Sequence, residues 1–258
     1  MWMYNFTQSI KQRLEFYFLG KVNATASALT GEKKIVVDST SPFTSQAIIK
    51  NLNQIILWDD TTTGKLIQGG YEGAQILSIK DVTDDTIYFE EPLTRDYLLS
   101  NNPIVLRAPG GERLNSVILG DVRVKAKYPA IIIVPSSVSP NWTTLSGTTD
   151  KIVINFIVYV KDDDSEDTTR VLLKITDALE WILRSSLHIP PTNAKYVFER
   201  TSKAYVTNIS YGTIEKGSEF LKAATITWEG DAYIWQSFIT KQGTSLSEMP
   251  DNLTNYLL

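Results

Sequence analysis

The stretch VYVKDDDSEDTTRVLLKI, from Val158 to Ile175, passes from an apolar run into a dense acidic cluster and then into a second apolar pattern. Five of the six residues from Asp162 to Asp167 are acidic. Such a cluster is typical of three different structures: a metal-binding loop, a pair of catalytic carboxylates, or the corner between a strand and a helix. The choice among them decides how the chain folds.

The spacing of the acidic cluster does not fit an EF-hand calcium loop. Such a loop places glycine at its sixth position and a bidentate glutamate at its twelfth. Counted from Asp162, these positions hold Asp167 and Leu173. A calcium site of another kind stays open. A carboxylate pair for acid–base catalysis needs two carboxyl groups in different environments across a cleft, whereas neighbours on one exposed turn share their environment.

The chemistry of a helix start accounts for the cluster residue by residue. The first N–H groups of a helix lack partners and carry partial positive charge, so acidic and hydroxyl side chains stabilise them. Asp164 or Ser165 can cap the helix. Glu166 can pair with Arg170 one turn later. The cluster therefore predicts a corner at which a buried strand ends and an amphipathic helix begins.

Apolar residues on both sides of the corner define the two elements. KIVINFIVYVKD predicts a long strand over residues 151–161, and the following pattern predicts a helix over 165–186. The apolar face of this helix is formed by Val171, Leu172, Ile175, Ala178, Leu179 and Ile182.

A second helix is predicted at the start of the chain. Its apolar residues recur at spacings of four, four and three, which places them on one face, and Gly20 is the expected stop. These residues are Phe6, Ile10, Leu14 and Tyr17. We expect this helix to pack beside the helix that follows Ser165.

Residues 31–109 form short β-branched or aromatic runs between Gly, Pro, Asn and Asp punctuation, which predicts a small antiparallel barrel or sandwich. RAPGGER (Arg107–Arg113) is interpreted as a linker out of this module. The predicted fold class is therefore α+β: an antiparallel or mixed sheet packed by two main helices, with an inserted all-β module. The sheet and helices come from residues 1–30 and 110–240, and a C-terminal tail follows at 241–258.

Composition limits the chemistry that is open to the chain. It has 258 residues, a net charge of −4 and no cysteine. The charge argues against nucleic-acid binding through a general basic surface, and the lack of cysteine excludes thiolate nucleophiles, disulfides and cysteine-ligated metals. No secretory signal is recognisable, and no run approaches the ~20 apolar residues that span a bilayer. We expect a soluble intracellular product without membrane association.

Four further features invite a functional interpretation. GGYEG (Gly69–Gly73) lacks the Lys-Ser/Thr of a phosphate loop and predicts a bulged turn. His188 follows the second helix without a recognisable nucleophile. Trp142 lies in a long polar loop, and large aromatics are favoured at protein interfaces. A basic stripe that could meet a phosphate or an acidic neighbour, or simply face solvent, is formed by Arg123, Lys125 and Lys127. We assign no catalytic, cofactor-binding or metal-ligating residue and expect no enzymatic activity.

The order of elements carries a resemblance to a known family. The elements are a first helix in FTQSIKQRLEFYF, a strand ending near Tyr128-Pro129 with AIIIVPSS after it, KIVINFIVYVKD with its acidic turn and helix, and late strands ending in KAATITWEGDAYI. This order, over the first 20 residues and residues 114–235, resembles the tail terminator (tail completion) proteins of long-tailed bacteriophages. The resemblance is a pattern of elements without an invariant motif, and the simplest family members lack a module like residues 31–109.

The resemblance implies a structural virion protein. It would form a ring, usually a hexamer, that caps the tail tube, ends tube polymerisation and joins the tail to the head. The implied partners are the tail tube protein, the head–tail connector or head-completion protein and, in a contractile tail, the sheath protein. Genomic DNA would pass through the lumen without sequence-specific binding. The implied location is the tail or neck of the virion, after assembly in the host cytoplasm.

Three other functions remain open from the sequence. The chain could be a head-completion protein or connector adaptor of the neck. The β module could bind a carbohydrate or a host surface, which would make the chain a tail-tip or baseplate protein. The acidic cluster could belong to a hydrolase.

Overall fold

The predicted α+β fold class is confirmed by the structure, a computed structural model with two helices and two main β-sheets. The second sheet is packed by both helices on one face, and the first is a separate, smaller β unit. The residues that the structure describes are 2–43, 52–59, 66–67, 70–71, 74–120, 127–142, 147–185, 197–199, 205–216 and 219–235.

The first sheet is built from short antiparallel strands in the N-terminal part of the chain. Its region contains β1 (Lys21–Asn23), β2 (Lys34–Val36), β3 (Gln54–Trp58), β4 (Leu66–Ile67), β5 (Gly70–Tyr71), β6 (Gln75–Val82), β7 (Thr86–Phe89) and β8 (Ile104–Arg107). Six of them form a sheet in the order β1-β8-β3-β6-β7-β2, while β4 and β5 pair only with each other. A bridge between Ala24 and Val37 joins the two outermost strands, so the sheet curls back on itself as a small barrel.

The second sheet contains the long strands of the chain. These are β9 (Ser116–Leu119), β10 (Ala130–Trp142), β11 (Gly147–Asp162), β12 (Val197–Glu199), β13 (Tyr205–Lys216) and β14 (Glu219–Trp235). The order is β12-β14-β11-β10-β9, and β13 pairs with β14 on the same side as β12. Strands β9 and β10 are parallel, and the other pairs are antiparallel.

Both helices cover one face of the second sheet. Alternate residues of β11 from Ile152 to Val160 are at most 1% exposed, whereas the residues between them are half-buried. Helix α1 (Trp2–Leu19) packs on β9 and β10, and α2 (Ser165–Ser185) packs on β11, β13 and β14. The predicted apolar faces of both helices are buried in one shared core.

The two helices share the core above the sheet, but few of their backbone positions approach one another. Side chains of α1 and α2 line a common cavity above the strands. Its walls include Ile10 and Leu14 from α1, Ile182 and Leu183 from α2, and Phe156 and Trp228 from the sheet. The helix-bearing half of the fold therefore has one continuous core that both ends of the sequence build.

The barrel begins ten residues before the predicted start of the β module. Strand β1 lies within residues 1–30, which the sequence assigned to the helical domain, yet it pairs with β8 in the first sheet. Its partner strand is about eighty residues away, so no local pattern marks β1 as part of the barrel. The predicted tail, residues 241–258, lies outside the described residues.

Residues 136–142 and 147–150 belong to paired strands, so the prediction of a long polar loop over them is wrong. Strand β10 continues to Trp142 and β11 begins at Gly147, with Val138 opposite Ile152. Strand β9 pairs only with residues 130–133. Beyond this point no described strand lies on the outer side of β10, and prolines are tolerated on such an edge. The Ser, Thr and Pro composition therefore did not prevent strand pairing.

Candidate functional site

The acidic cluster forms the cap of α2. The Asp164 carboxylate accepts hydrogen bonds from the backbone N–H groups of Glu166 and Asp167, at 2.7 and 3.0 Å. The backbone carbonyl of Asp164 accepts a bond from the N–H of Thr168 at 3.0 Å. Asp164, rather than Ser165, is thus the N-cap of α2, and the cluster supplies the strand-to-helix corner that the sequence predicts.

A lysine from β14 fastens this corner to the sheet. The Lys222 ammonium donates to the Ser165 carbonyl at 2.7 Å, to the Ser165 hydroxyl at 2.8 Å and to the Thr169 hydroxyl at 2.5 Å. On the strand side of the corner, partial burial raises the pKa of the Asp162 carboxyl, and the neighbouring Asp163 carboxyl adds to the rise. The contacts of the cluster are those of a structural corner.

Asp164 provides a direct test of this assignment. Asp164→Ala removes the acceptor for two helix N–H groups, and we expect it to lower the free energy of unfolding by about 1 kcal/mol. Asp164→Asn keeps an acceptor oxygen at the cap and should lose clearly less. Urea unfolding of both variants measures the difference, and equal losses would contradict the capping role.

The predicted pair between Glu166 and Arg170 is not the contact that the structure describes. Arg170 instead pairs with Asp167 at 3.2 Å and with Glu112 at 2.5 Å. Glu112 lies in the segment between the two sheets, its side chain is fully buried, and it also pairs with Lys174 at 3.1 Å. A buried carboxylate attracts the guanidinium more strongly than an exposed one on the helix surface.

The segment RAPGGER is a docked turn, so its interpretation as a linker is corrected. Pro109–Gly111 forms a short 3-10 turn that packs against α2. Gly110 has a φ of 78°, and a Cβ at this position would stand 2.7 Å from the Lys174 carbonyl oxygen. Together with the Glu112 ion pairs, this close approach fixes the end of the barrel to the second helix. We call the turn Pro109–Gly111 and Glu112, with Arg170 and Lys174, the junction.

A buried arginine, Arg107, is the last residue of β8. Arg107 is 2% exposed, and its two terminal nitrogens have no hydrogen-bond partner among the described residues. Its guanidinium lies over the rings of Phe16, Tyr17 and Phe43 at 4.9, 5.2 and 5.8 Å from their centroids. Burial lowers the pKa of Arg107 to about 10. The charge is therefore held by aromatic stacking against α1 without a carboxylate partner in this part of the chain.

Replacement of this arginine should raise stability. Because the folded pKa lies below the unfolded value, Arg107 is charged in both states up to about pH 10, and the burial penalty is fully present there. Arg107→Met keeps much of the apolar contact, and we expect it to increase the free energy of unfolding by about 1–2 kcal/mol. The gain should be constant from about pH 6 to 9 in denaturant titrations. A loss of stability would show that ring stacking outweighs the burial penalty.

The remaining features named from the sequence are not brought together into a site. His188, Arg123 and Lys125 lie outside the described residues. Lys127 is exposed. Trp142 is the last residue of β10. Of GGYEG, Gly70 and Tyr71 form β5 of the small hairpin, and residues 69, 72 and 73 lie outside the description.

The described part of the chain offers neither a cluster of metal ligands nor a helix suited to span a bilayer. No group of three or more His, Asp or Glu side chains there is arranged to hold a metal ion. Within the same residues, neither helix combines the length and apolar content that a bilayer crossing requires.

Sequence reasoning missed the open surface at β13. Its residues Thr207, Asn208, Ser210, Gly212 and Thr213 are exposed, and the side chain of Tyr211 is 55% exposed. Among the strands that the structure describes, only β14 pairs with β13. The available signal was the uncharged run YVTNISYGTI, which predicts a strand but does not say that it ends the sheet.

Comparison with known proteins gives little further guidance. No family profile and no curated protein sequence matches the chain. Among solved structures, a chain from the virion of a native gene transfer agent particle is similar over 45% of this chain and 78% of its own length, with 8% sequence identity and a TM-score of 0.29. A TM-score of this size does not establish a common fold, so the similarity carries no functional argument.

Proposed function

We propose that this chain is a structural virion protein of a tailed phage or a phage-like particle, without a catalytic role. It forms a ring, as a hexamer, at the head-proximal end of the tail. There it caps the tail tube, ends tube polymerisation and joins the tail to the head connector. Its partners are further copies of itself, the tail tube protein, the connector or head-completion protein and, in a contractile tail, the sheath protein.

The observation that carries this proposal is where the structure places the helices and strands on which the resemblance to tail terminator proteins is based. The strand after Pro129, the long strand with its acidic corner and the late strand all belong to one sheet. The first and second helices both pack on one face of this sheet. The acidic corner has a full structural explanation as a helix cap. This favours a structural role for the residues that would otherwise suggest a hydrolase.

The net charge of the chain and the position of the barrel also suit a virion ring. A net charge of −4 suits a lumen that lets DNA pass without tight phosphate binding. The barrel is attached through the junction near the middle of α2, so it adds surface without interrupting the helix-covered sheet. In the proposal, the barrel is a peripheral addition to the ring.

Particles made without this protein test the proposal. We expect their tails to be of abnormal length or to lie unattached to heads in electron micrographs. A copy of the intact gene supplied in trans should restore tails of normal length that are joined to heads. If the deletion yields attached tails with the parental length distribution, the assignment to the neck is wrong.

A further inference from the structure

Strand β13 presents a free edge of the second sheet to solvent. It has twelve residues, and its inner edge pairs with β14 from Tyr205 opposite Glu229 to Lys216 opposite Glu219. Its outer N–H and C=O groups face away from every strand that the structure describes. The sheet face at Gly212 is open as well, because a Cβ added there would meet no atom within 4 Å. Nothing described here covers this edge.

The edge lacks most of the devices that normally prevent strand addition. Exposed edges are usually protected by Lys, Pro, inward-pointing charges or a bulge. From Tyr205 to Ile214 there is no charged residue and no proline. One bulge lies near the start, between Val206 and Asn208, and the strand is regular from Asn208 onward. The regular part is therefore a ready template for a further strand.

The charges beside the first residue of β13 are paired within the chain, whereas further along, burial and the nearby Asp177 and Glu180 carboxylates of α2 raise the pKa of the Tyr211 hydroxyl. Glu229 of the neighbouring strand β14 pairs with Lys151 of β11 at 2.6 Å, and the Tyr205 hydroxyl donates to Glu229 at 3.4 Å. A contact along β13 therefore brings no unpaired charge of this group into an interface. This matters for self-association, because two copies that each carry a net charge of −4 repel one another over most of their surfaces.

The size of the edge fits an interface between copies. At a rise of ~3.3 Å per residue, the twelve residues of β13 span about 40 Å. A standard interface buries ~800 Å² on each partner, a patch about 30 Å across. Exposed Tyr205 and Tyr211 supply the aromatic contacts that such interfaces favour.

We propose that the outer edge of β13 is the joint to which a second copy of this chain adds. Backbone hydrogen bonds along Asn208–Ile214 would hold the copies together, with Tyr205 and Tyr211 packing beside them. The inference rests on the proposed function in one respect only: a ring closes through heterologous contacts, so the β13 edge of each copy would meet a different surface of the next copy.

Two proline variants at adjacent positions test the joint. Consecutive residues of an antiparallel strand point their N–H groups in opposite directions, so one of Gly212→Pro and Thr213→Pro removes an outward N–H and the other an inward N–H. The outward variant should fold with unchanged stability, because prolines are tolerated at edges, and its self-association should weaken by roughly tenfold or more. Gly212→Ala and Thr213→Ala are the matched controls, since both keep their N–H groups.

Sedimentation at rising concentrations measures the self-association of the wild-type chain and of the variants. Thermal unfolding measures the stability of each variant. A wild-type chain that stays monomeric, or a stable proline variant that assembles as the wild type does, would overturn the joint. If the wild type associates through β13 but particles made without this protein have normal, attached tails, the joint stands and the proposed function is wrong. If a stable proline variant self-associates and caps tails as the wild type does, the proposed function stands and the joint at β13 is wrong.

Discussion

Arg170→Met is expected to lower the free energy of unfolding by about 3 kcal/mol. Glu112 is fully buried, and Arg170 is one of its two cationic partners. Without the guanidinium, the carboxylate keeps only Lys174, whose side chain is 42% exposed. A buried charge that loses a partner is costly because its desolvation is no longer offset. The expected loss lies at the lower end of the range for such pairs because Lys174 remains.

The matched control lies on the same helix. Arg184 pairs with Glu180 at 2.5 Å, but its side chain is 62% exposed. Exposed pairs of this kind contribute about 0–1 kcal/mol, so Arg184→Met should have little effect on urea unfolding. Equal losses for the two variants would show that the junction does not depend on the buried Glu112 pair.

Gly110→Ala is expected to lower stability by about 2–4 kcal/mol. The residue has a φ of 78°, which costs a non-glycine residue about 1–2 kcal/mol. In addition, the new Cβ would stand 2.7 Å from the Lys174 carbonyl oxygen, so the turn would have to move away from α2. Overpacking of this kind typically adds about 1–3 kcal/mol. Thermal unfolding of the purified variant measures the sum.

Gly31 separates the two contributions. Its φ is 88°, and a Cβ there would meet no atom within 4 Å. Gly31→Ala should therefore show only the backbone cost of about 1–2 kcal/mol. If Gly110→Ala is no worse than Gly31→Ala, the turn and α2 are not in close contact and the junction is looser than described.

Local patterns predicted the elements that depend on local chemistry. The sequence order indicated a cap at Asp164 or Ser165, and the structure assigns it to Asp164, whose carboxylate accepts from N–H groups two and three residues later. The buried faces of both helices follow from a spacing of three and four residues. Gly, Pro, Asn and Asp residues between short apolar runs predicted a barrel or a sandwich. The bridge between Ala24 and Val37 favours the barrel.

Features that depend on distant partners were missed. Arg170 has a carboxylate one turn away in Glu166, but the fold places the buried Glu112 beside it, 58 residues earlier in sequence. Nothing local distinguishes these two partners. For the same reason, RAPGGER was interpreted as a linker, although Gly110 is packed against a helix carbonyl.

The strand pairing over residues 136–142 and 147–150 was missed for a different reason. The composition of these residues is that of a loop, and two prolines lie in β10, at Pro135 and Pro140. Strand pairing with β11 continues through both positions, with a register shift between Pro135 and Ser137. Composition reflects the average preference of residues for strands or loops. Here pairing with the long strand β11 keeps β10 extended in spite of that preference.

Addition of the purified chain to polymerising tail tubes of the same particle tests the central claim most directly. Tube growth is followed by light scattering, and the position of a labelled chain is determined by electron microscopy. We predict that the label lies at one end of each tube as a ring and that growth stops at that end. Tubes that lengthen at an unchanged rate with no label at their ends would contradict the proposed function.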